Sequence, residues 1–70
     1  MEIRLTYHAM KKADIKGILL IWIEEAIKYP DITIKIKENK YVVRKMVSKI
    51  ALEVVYIKEN YIKVVTVYWV

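Results

Sequence analysis

Ile32-Thr33-Ile34-Lys35-Ile36-Lys37 alternates apolar and polar side chains without a break, and its reading decides the fold. A period of two places every second residue on one face, the pattern of a half-buried strand. Pro30 lies just upstream and ends whatever helix precedes it. Everything after Pro30 reads as sheet. Tyr41–Ser48, Ala51–Lys58 and Tyr61–Val70 are three further strands. The similar segments Lys37-Glu38-Asn39-Lys40 and Lys58-Glu59-Asn60-Tyr61 read as turns, because Asn tolerates positive φ.

Upstream of Pro30 the period changes. Ile18, Trp22, Ala26 and Tyr29 recur at helical spacing, with Ile23 and Ile27 beside them, so Ile18–Tyr29 is expected to be a helix. Gly17, the only glycine, separates it from a basic helix over Tyr7–Lys16, with Thr6 as N-cap and Gly17 as C-cap. Glu2–Thr6 can form a short strand. The expectation is a single α+β domain over residues 1–70. In it an N-terminal strand and two helices pack on one face of a C-terminal antiparallel four-stranded sheet.

Two-residue loops at Glu38-Asn39, Lys49-Ile50 and Glu59-Asn60 would sort the strands into two faces. One face collects Ile32, Ile34, Val43, Leu52, Val54 and Trp69, with Tyr41, Tyr56, Val65 and Val67, and must be covered by the helices. Lys45 and Lys63 fall on it too; either they snorkel at its rim or the register differs there. The other face groups Thr33, Lys35, Arg44, Glu53, Thr66 and Tyr68, beside an apolar patch of Val55, Ile57, Ile62 and Val64. Arg44 and Glu53 are there either a cross-strand ion pair on a solvated face or part of a cleft for a phosphodiester. The apolar content of 57% is more than a core this small can hide, so part of it is expected at a protein interface.

Composition removes several classes of chemistry. With no cysteine there is no disulfide or thiolate site. The one histidine and eight carboxylates show no ligand spacing, so no metal site and no cofactor is expected. One glycine cannot build a P-loop, a dinucleotide fingerprint or a nucleophile elbow. The longest apolar run, Ile18 to Ile23, is far short of the ~20 residues of a membrane span. Met1–Tyr7 is charged and lacks the apolar core of a signal peptide, so the expected location is the cytoplasm, with no membrane partner. A net charge of +5 on a small domain favours polyanions, nucleic acid first. The abundance of Ile, Lys, Glu and Tyr, without Gln, resembles the usage of thermophile proteins.

Several short motifs occur in a fixed order. His8-Ala9 is followed by Lys16-Gly17-Ile18, by Trp22-Ile23-Glu24-Glu25-Ala26-Ile27 and by Pro30-Asp31. Leu52-Glu53-Val54-Val55-Tyr56 and Val65-Thr66-Val67-Tyr68-Trp69 come later. The order and spacing resemble the small proteins of domain-of-unknown-function family 4258, a branch of the RelE-like toxins. That resemblance implies a metal-independent ribonuclease of a toxin–antitoxin pair, acting on RNA and silenced by a cognate antitoxin. His8, Lys16, Thr66 and Tyr68 carry over by position. The chain differs from the family pattern in three places. Lys16 stands for an Arg and lacks its bidentate fork. Glu53 stands for an Arg. Leu19, Leu20 and Ile21 occupy positions that are usually polar.

Metal-free RNA cleavage needs a base for the 2′-hydroxyl, cations for the phosphorane, an acid for the leaving oxygen and a group that orients the base. Histidine suits base or acid, which points to His8; its ordinary role is a structural hydrogen bond. Glu53 is the other candidate base, with Arg44 as a phosphate fork. Tyr68 can stack on a base or donate to phosphate, or be an ordinary sheet aromatic. Lys11, Lys12, Lys16, Lys35 and Thr66 are the expected RNA contacts, against the plainer reading of a solvated basic surface. Trp22 and Trp69 fall on apolar stripes and are expected in the core. The competing class is a non-catalytic RNA- or protein-binding module, including a degenerate toxin that keeps antitoxin binding alone. Partners in the two readings are RNA, an antitoxin protein or a second copy of the chain.

Overall fold

Gly17 and Pro30 divide the chain as their chemistry requires. The computed structural model describes all residues, 1–70, in the order β1 (Ile3–Leu5), α1 (Tyr7–Lys16), α2 (Leu20–Lys28), β2 (Ile32–Lys35), β3 (Lys40–Val47), β4 (Ile50–Lys58) and β5 (Ile62–Trp69). Thr6 caps α1: its Oγ1 accepts the Ala9 N–H at 3.1 Å and its hydroxyl donates to the Val65 carbonyl at 3.2 Å. One side chain thus starts the helix and fastens it to β5.

Gly17 takes φ 65°, the left-handed conformation that favours glycine. The Ile18 N–H donates to Ala13 O at 2.8 Å and the Gly17 N–H to Asp14 O at 3.3 Å, a Schellman closure. Ile18 and Ala13 are both buried, as the hydrophobic contact of that motif requires. The closure also corrects the expected start of the second helix. Ile18 is spent on capping α1, Leu19 is extended (φ −77°, ψ 144°), and α2 begins at Leu20.

The strands form one sheet in the order β1-β5-β4-β3-β2. It is an α+β fold as expected, with one addition: β1 joins the sheet parallel to β5, which makes five strands and a mixed sheet rather than four antiparallel ones. α2 packs on β3 and β4, and α1 lies along β5 and β1. Ala9, Ala13 and Ala26 are buried at the helix contacts, where small side chains permit close approach. Ile23, Val43, Leu52, Val54, Val64 and Val67 are fully buried beneath them. Each such side chain stabilises the fold by about 1.5–3 kcal/mol relative to exposure. Trp22 and Trp69 meet edge-to-face with centroids 5.8 Å apart, and the Trp69 indole N–H donates to Lys16 O at 2.9 Å, which joins both helices to the last strand.

Loop length decides which face each strand presents, and here three expectations are corrected. The β3–β4 turn is Ser48-Lys49, with Ser48 at φ 60°, not Lys49-Ile50. Moving a two-residue loop by one position shifts partners by two, so the faces survive and Arg44 comes directly opposite Glu53. The β2–β3 loop has three residues, Lys37-Glu38-Asn39, closed by the Ile36 N–H on Lys40 O at 2.8 Å. An odd loop exchanges the faces of β2. Ile32 and Ile34 pair with Arg44 and Val42 on the open face, while Thr33 and Lys35 turn to the helix face beside Val43 and Tyr41.

The β4–β5 loop is also odd, since Lys58 opposes Ile62. Beyond it a bulge between Val55 and Tyr56 leaves Val65 unopposed and reverses the parity again. Between loop and bulge, Ile62 and Val64 enter the core rather than the expected surface patch, and Lys63 leaves the helix face for the open one. Past the bulge the two changes cancel, and Thr66 and Tyr68 stand on the open face as expected.

Candidate functional site

The open face of β3, β4 and β5 carries Arg44, Glu53 and Tyr68 in one row, directly opposed strand to strand. Arg44 donates Nε–H and Nη2–H to Glu53 Oε2, at 3.0 and 2.7 Å. The Tyr68 hydroxyl donates to the other oxygen, Oε1. Glu53 is thus bonded on both oxygens, and it is the one charged residue in the buried set, at 9% exposure. The Tyr68 hydrogen bond holds its carboxyl below the usual carboxylate range; burial opposes this and the Arg44 hydrogen bond and charge add to it. The same bond to Glu53, with burial, pushes the Tyr68 phenol up. No buried side-chain nitrogen or oxygen in the molecule is left without a partner.

Thr66 stands two residues before Tyr68 on β5, on the same face and opposite Val55. α1 supplies the wall of the site. His8 and Lys12 are four residues apart and so share a stripe of the helix. The stripe leans over β5: His8 Nε2 lies 3.2 Å from Thr66 Oγ1, and Lys12 Nζ lies 5.9 Å from the Tyr68 ring centroid, within cation–π range. Residues separated by up to sixty positions in the chain therefore converge: His8, Lys12, Arg44, Glu53, Thr66 and Tyr68. His8 is exposed, Lys12 and Arg44 are half-buried, and the row opens to solvent on the side away from α2.

The remaining expected contacts are placed differently. Lys11 is exposed beside the Tyr7 ring, with Nζ 5.6 Å from its centroid. Lys16 is exposed at the end of α1, where its carbonyl holds Trp69. Lys35 is a correction. The odd loop turns it to the opposite face, on the edge strand farthest from β5, and it belongs to no part of the cluster. Thr33 leaves the group for the same reason. Two cations were missed: Arg4 and Lys63, paired across β1 and β5, stand on the open face. Only the three-residue β4–β5 loop reveals Lys63, and only the parallel pairing of β1 reveals Arg4. Lys45 stays at the rim of the helix face, 3.8 Å from Asp31 Oδ1, while the Met46 N–H donates to Asp31 Oδ2 at 2.8 Å.

The apolar surplus is also redistributed. Ile62 and Val64 are buried, and Val55 is hidden at 9% exposure. Leu19, Leu20 and Ile21 remain exposed, as do Ile32, Ile34 and Ile36. Leu20 borders a groove of about 420 Å³ lined chiefly by Ile3, Leu5, Met10, Ile18 and Ile23. No helix is long and apolar enough to cross a membrane.

Comparison with known proteins returned no matching family model, no matching curated protein and no matching solved structure.

Proposed function

We propose that the open face is an RNA-binding surface and that the protein is a toxin-type, metal-independent endoribonuclease held in check by an antitoxin. The supporting observation is the convergence of His8 and Thr66 with Lys12, Arg44 and Tyr68 on one accessible face. A single-stranded phosphodiester lying along β5 would meet an imidazole, a hydroxyl, two cations and an aromatic ring within one patch. His8 takes the proton of the 2′-hydroxyl, the 2′-oxygen attacks phosphorus, and the bond to the 5′-oxygen breaks; the departing oxygen takes a proton from solvent water, and the His8 imidazolium returns its own to solvent. Lys12 and Arg44 face the charge that develops on the phosphorane. Products are a 2′,3′-cyclic phosphate and a 5′-hydroxyl. Glu53 is a weak base, since both oxygens are occupied and its carboxyl is held low. We assign it the positioning of Arg44 and Tyr68 instead. The exposed Leu19-Leu20-Ile21 segment and its groove are the surface this reading gives to the antitoxin.

The same ion pair favours a second reading. Arg44 spends Nε and Nη2 on Glu53, and with that fork closed the face would bind RNA without turning it over. The test is incubation of purified protein with RNA in a chelator, followed by end-group analysis. Cleavage with cyclic or 3′-phosphate ends supports the ribonuclease. Salt-dependent binding with intact RNA, with or without ribosomes, supports the module. Neither binding nor cleavage removes both.

A further inference from the structure

The sheet has two edges, and they are unequal. β1 is three residues long, whereas β2 offers Ile32–Lys35, every residue of it exposed. The hydrogen bond from the Ile36 N–H to Lys40 O sets the alternation along β2. Ile32 and Ile34 exchange bonds with β3, so Thr33 and Lys35 turn their N–H and C=O groups outward. Exposed edges are normally guarded by proline, a bulge or charges. β2 has neither proline nor bulge; its one charge, Lys35, lies on the helix face, and its open-face side chains are Ile32 and Ile34, each about half exposed.

We propose that β2 is a dimerisation edge, at which two copies of this chain pair antiparallel across a two-fold axis through Ile34. Three symmetric registers are available. A centre at Lys35 sets that lysine against its own copy, a like-charge opposition. A centre at Thr33 sets Lys35 against Asp31, whose N–H is already given to Arg44 O at 2.9 Å. A centre at Ile34 sets Thr33 against Lys35 of the second copy, twice, so every outward group of the two residues is paired. It also sets Ile34 against itself, Ile32 against Ile36, and Asp31 against Lys37 of the second copy. This self-complementarity selects a second copy over an unrelated strand. The inference stands apart from the RNA reading, although it would join the two open faces into one surface with a His8 cluster toward each end.

The interface is small, so association belongs at the weak end of specific dimers. Sedimentation equilibrium of the full chain, carried to high micromolar concentration, should show a reversible monomer–dimer equilibrium. Amide exchange gives the register. Thr33 and Lys35 N–H should gain protection as concentration rises, while Ile34 N–H is protected throughout. Thr33→Pro removes only an outward N–H, and Ile34→Lys sets two charges face to face. Each should stay folded by circular dichroism and sediment as a monomer. A wild type that remains monomeric overturns the proposal. So does a dimer that both folded variants retain, or one in which Thr33 and Lys35 exchange at the monomer's rate.

Discussion

β4 has two rows of side chains, and they are almost equally hidden. Leu52, Val54 and Tyr56 face the helices at 0%, 0% and 8% exposure; Glu53 and Val55 face away from α2 at 9% each. The first row is covered from above by α2 and packs into the apolar core. The second is covered from the sides, by Arg44 and Val42 on β3 and by Tyr68 and Thr66 on β5. A central strand can thus bury a carboxylate without an overlying layer, provided its flanking strands supply the donors. Burial from above selects shape and apolarity. Burial from the side selects hydrogen-bond partners and leaves an exit to solvent, the condition a binding site requires.

That contrast predicts a graded series. Leu52→Ala should lower unfolding free energy by about 3 kcal/mol, because α2 and the sheet cannot collapse into the space. Val55→Ala, nearly as hidden but open above, should cost only about 1 kcal/mol, since water can reach the vacated volume. Denaturant titration measures both, and equal losses would break the distinction between the rows. His8→Ala should reduce RNA cleavage by about 100-fold while leaving stability within about 0.5 kcal/mol. An unchanged rate would remove His8 from the chemistry.

Glu53→Gln should cost about 1 kcal/mol, the usual net value of a hydrogen bond, as Arg44 is half-exposed and regains water. Its pH dependence has a definite sign. The folded Glu53 carboxyl lies below its ordinary value, so its contribution is present above the ordinary carboxylate range and is lost as pH falls toward the lower folded value. The wild type should therefore converge on Glu53→Gln in acid. Tyr68 acts at the other end. Its phenol is raised, so its contribution holds below the ordinary tyrosine value and is lost as pH rises through the folded one. A stability difference between wild type and Glu53→Gln that is flat from acid to neutral pH would show that the row is not held by this network. The smallest effect belongs to Lys12→Ala. Folding should be unchanged, while the slope of log affinity against log salt for single-stranded RNA should fall by about 0.7.

Much of this was legible in the residues. The alternation of Ile32 to Lys37, the helical recurrence of Ile18 to Tyr29, the Thr6 cap and the Gly17 stop are local chemistry, and local chemistry is written in order along the chain. Arg44, Glu53, Thr66 and Tyr68 were legible as one group for the same reason, although their grouping survived only because an odd loop and a bulge cancelled. Lys35, Lys63, Ile62 and Val64 were not legible. Their faces depend on whether a loop holds two residues or three. A step of one residue reverses a whole strand while leaving its alternation unchanged. The wall of the site was hidden too. Nothing in Tyr7–Lys16 says which strand it will lie against. That was decided when β1 paired beside β5 and Thr6 tied the helix start to Val65, which set His8 over Thr66 and Lys12 beside Tyr68. The sequence alone determined the elements and their chemistry. The tertiary structure decided which chemistries meet, because pairing register and helix docking are fixed by contacts between segments far apart in the chain.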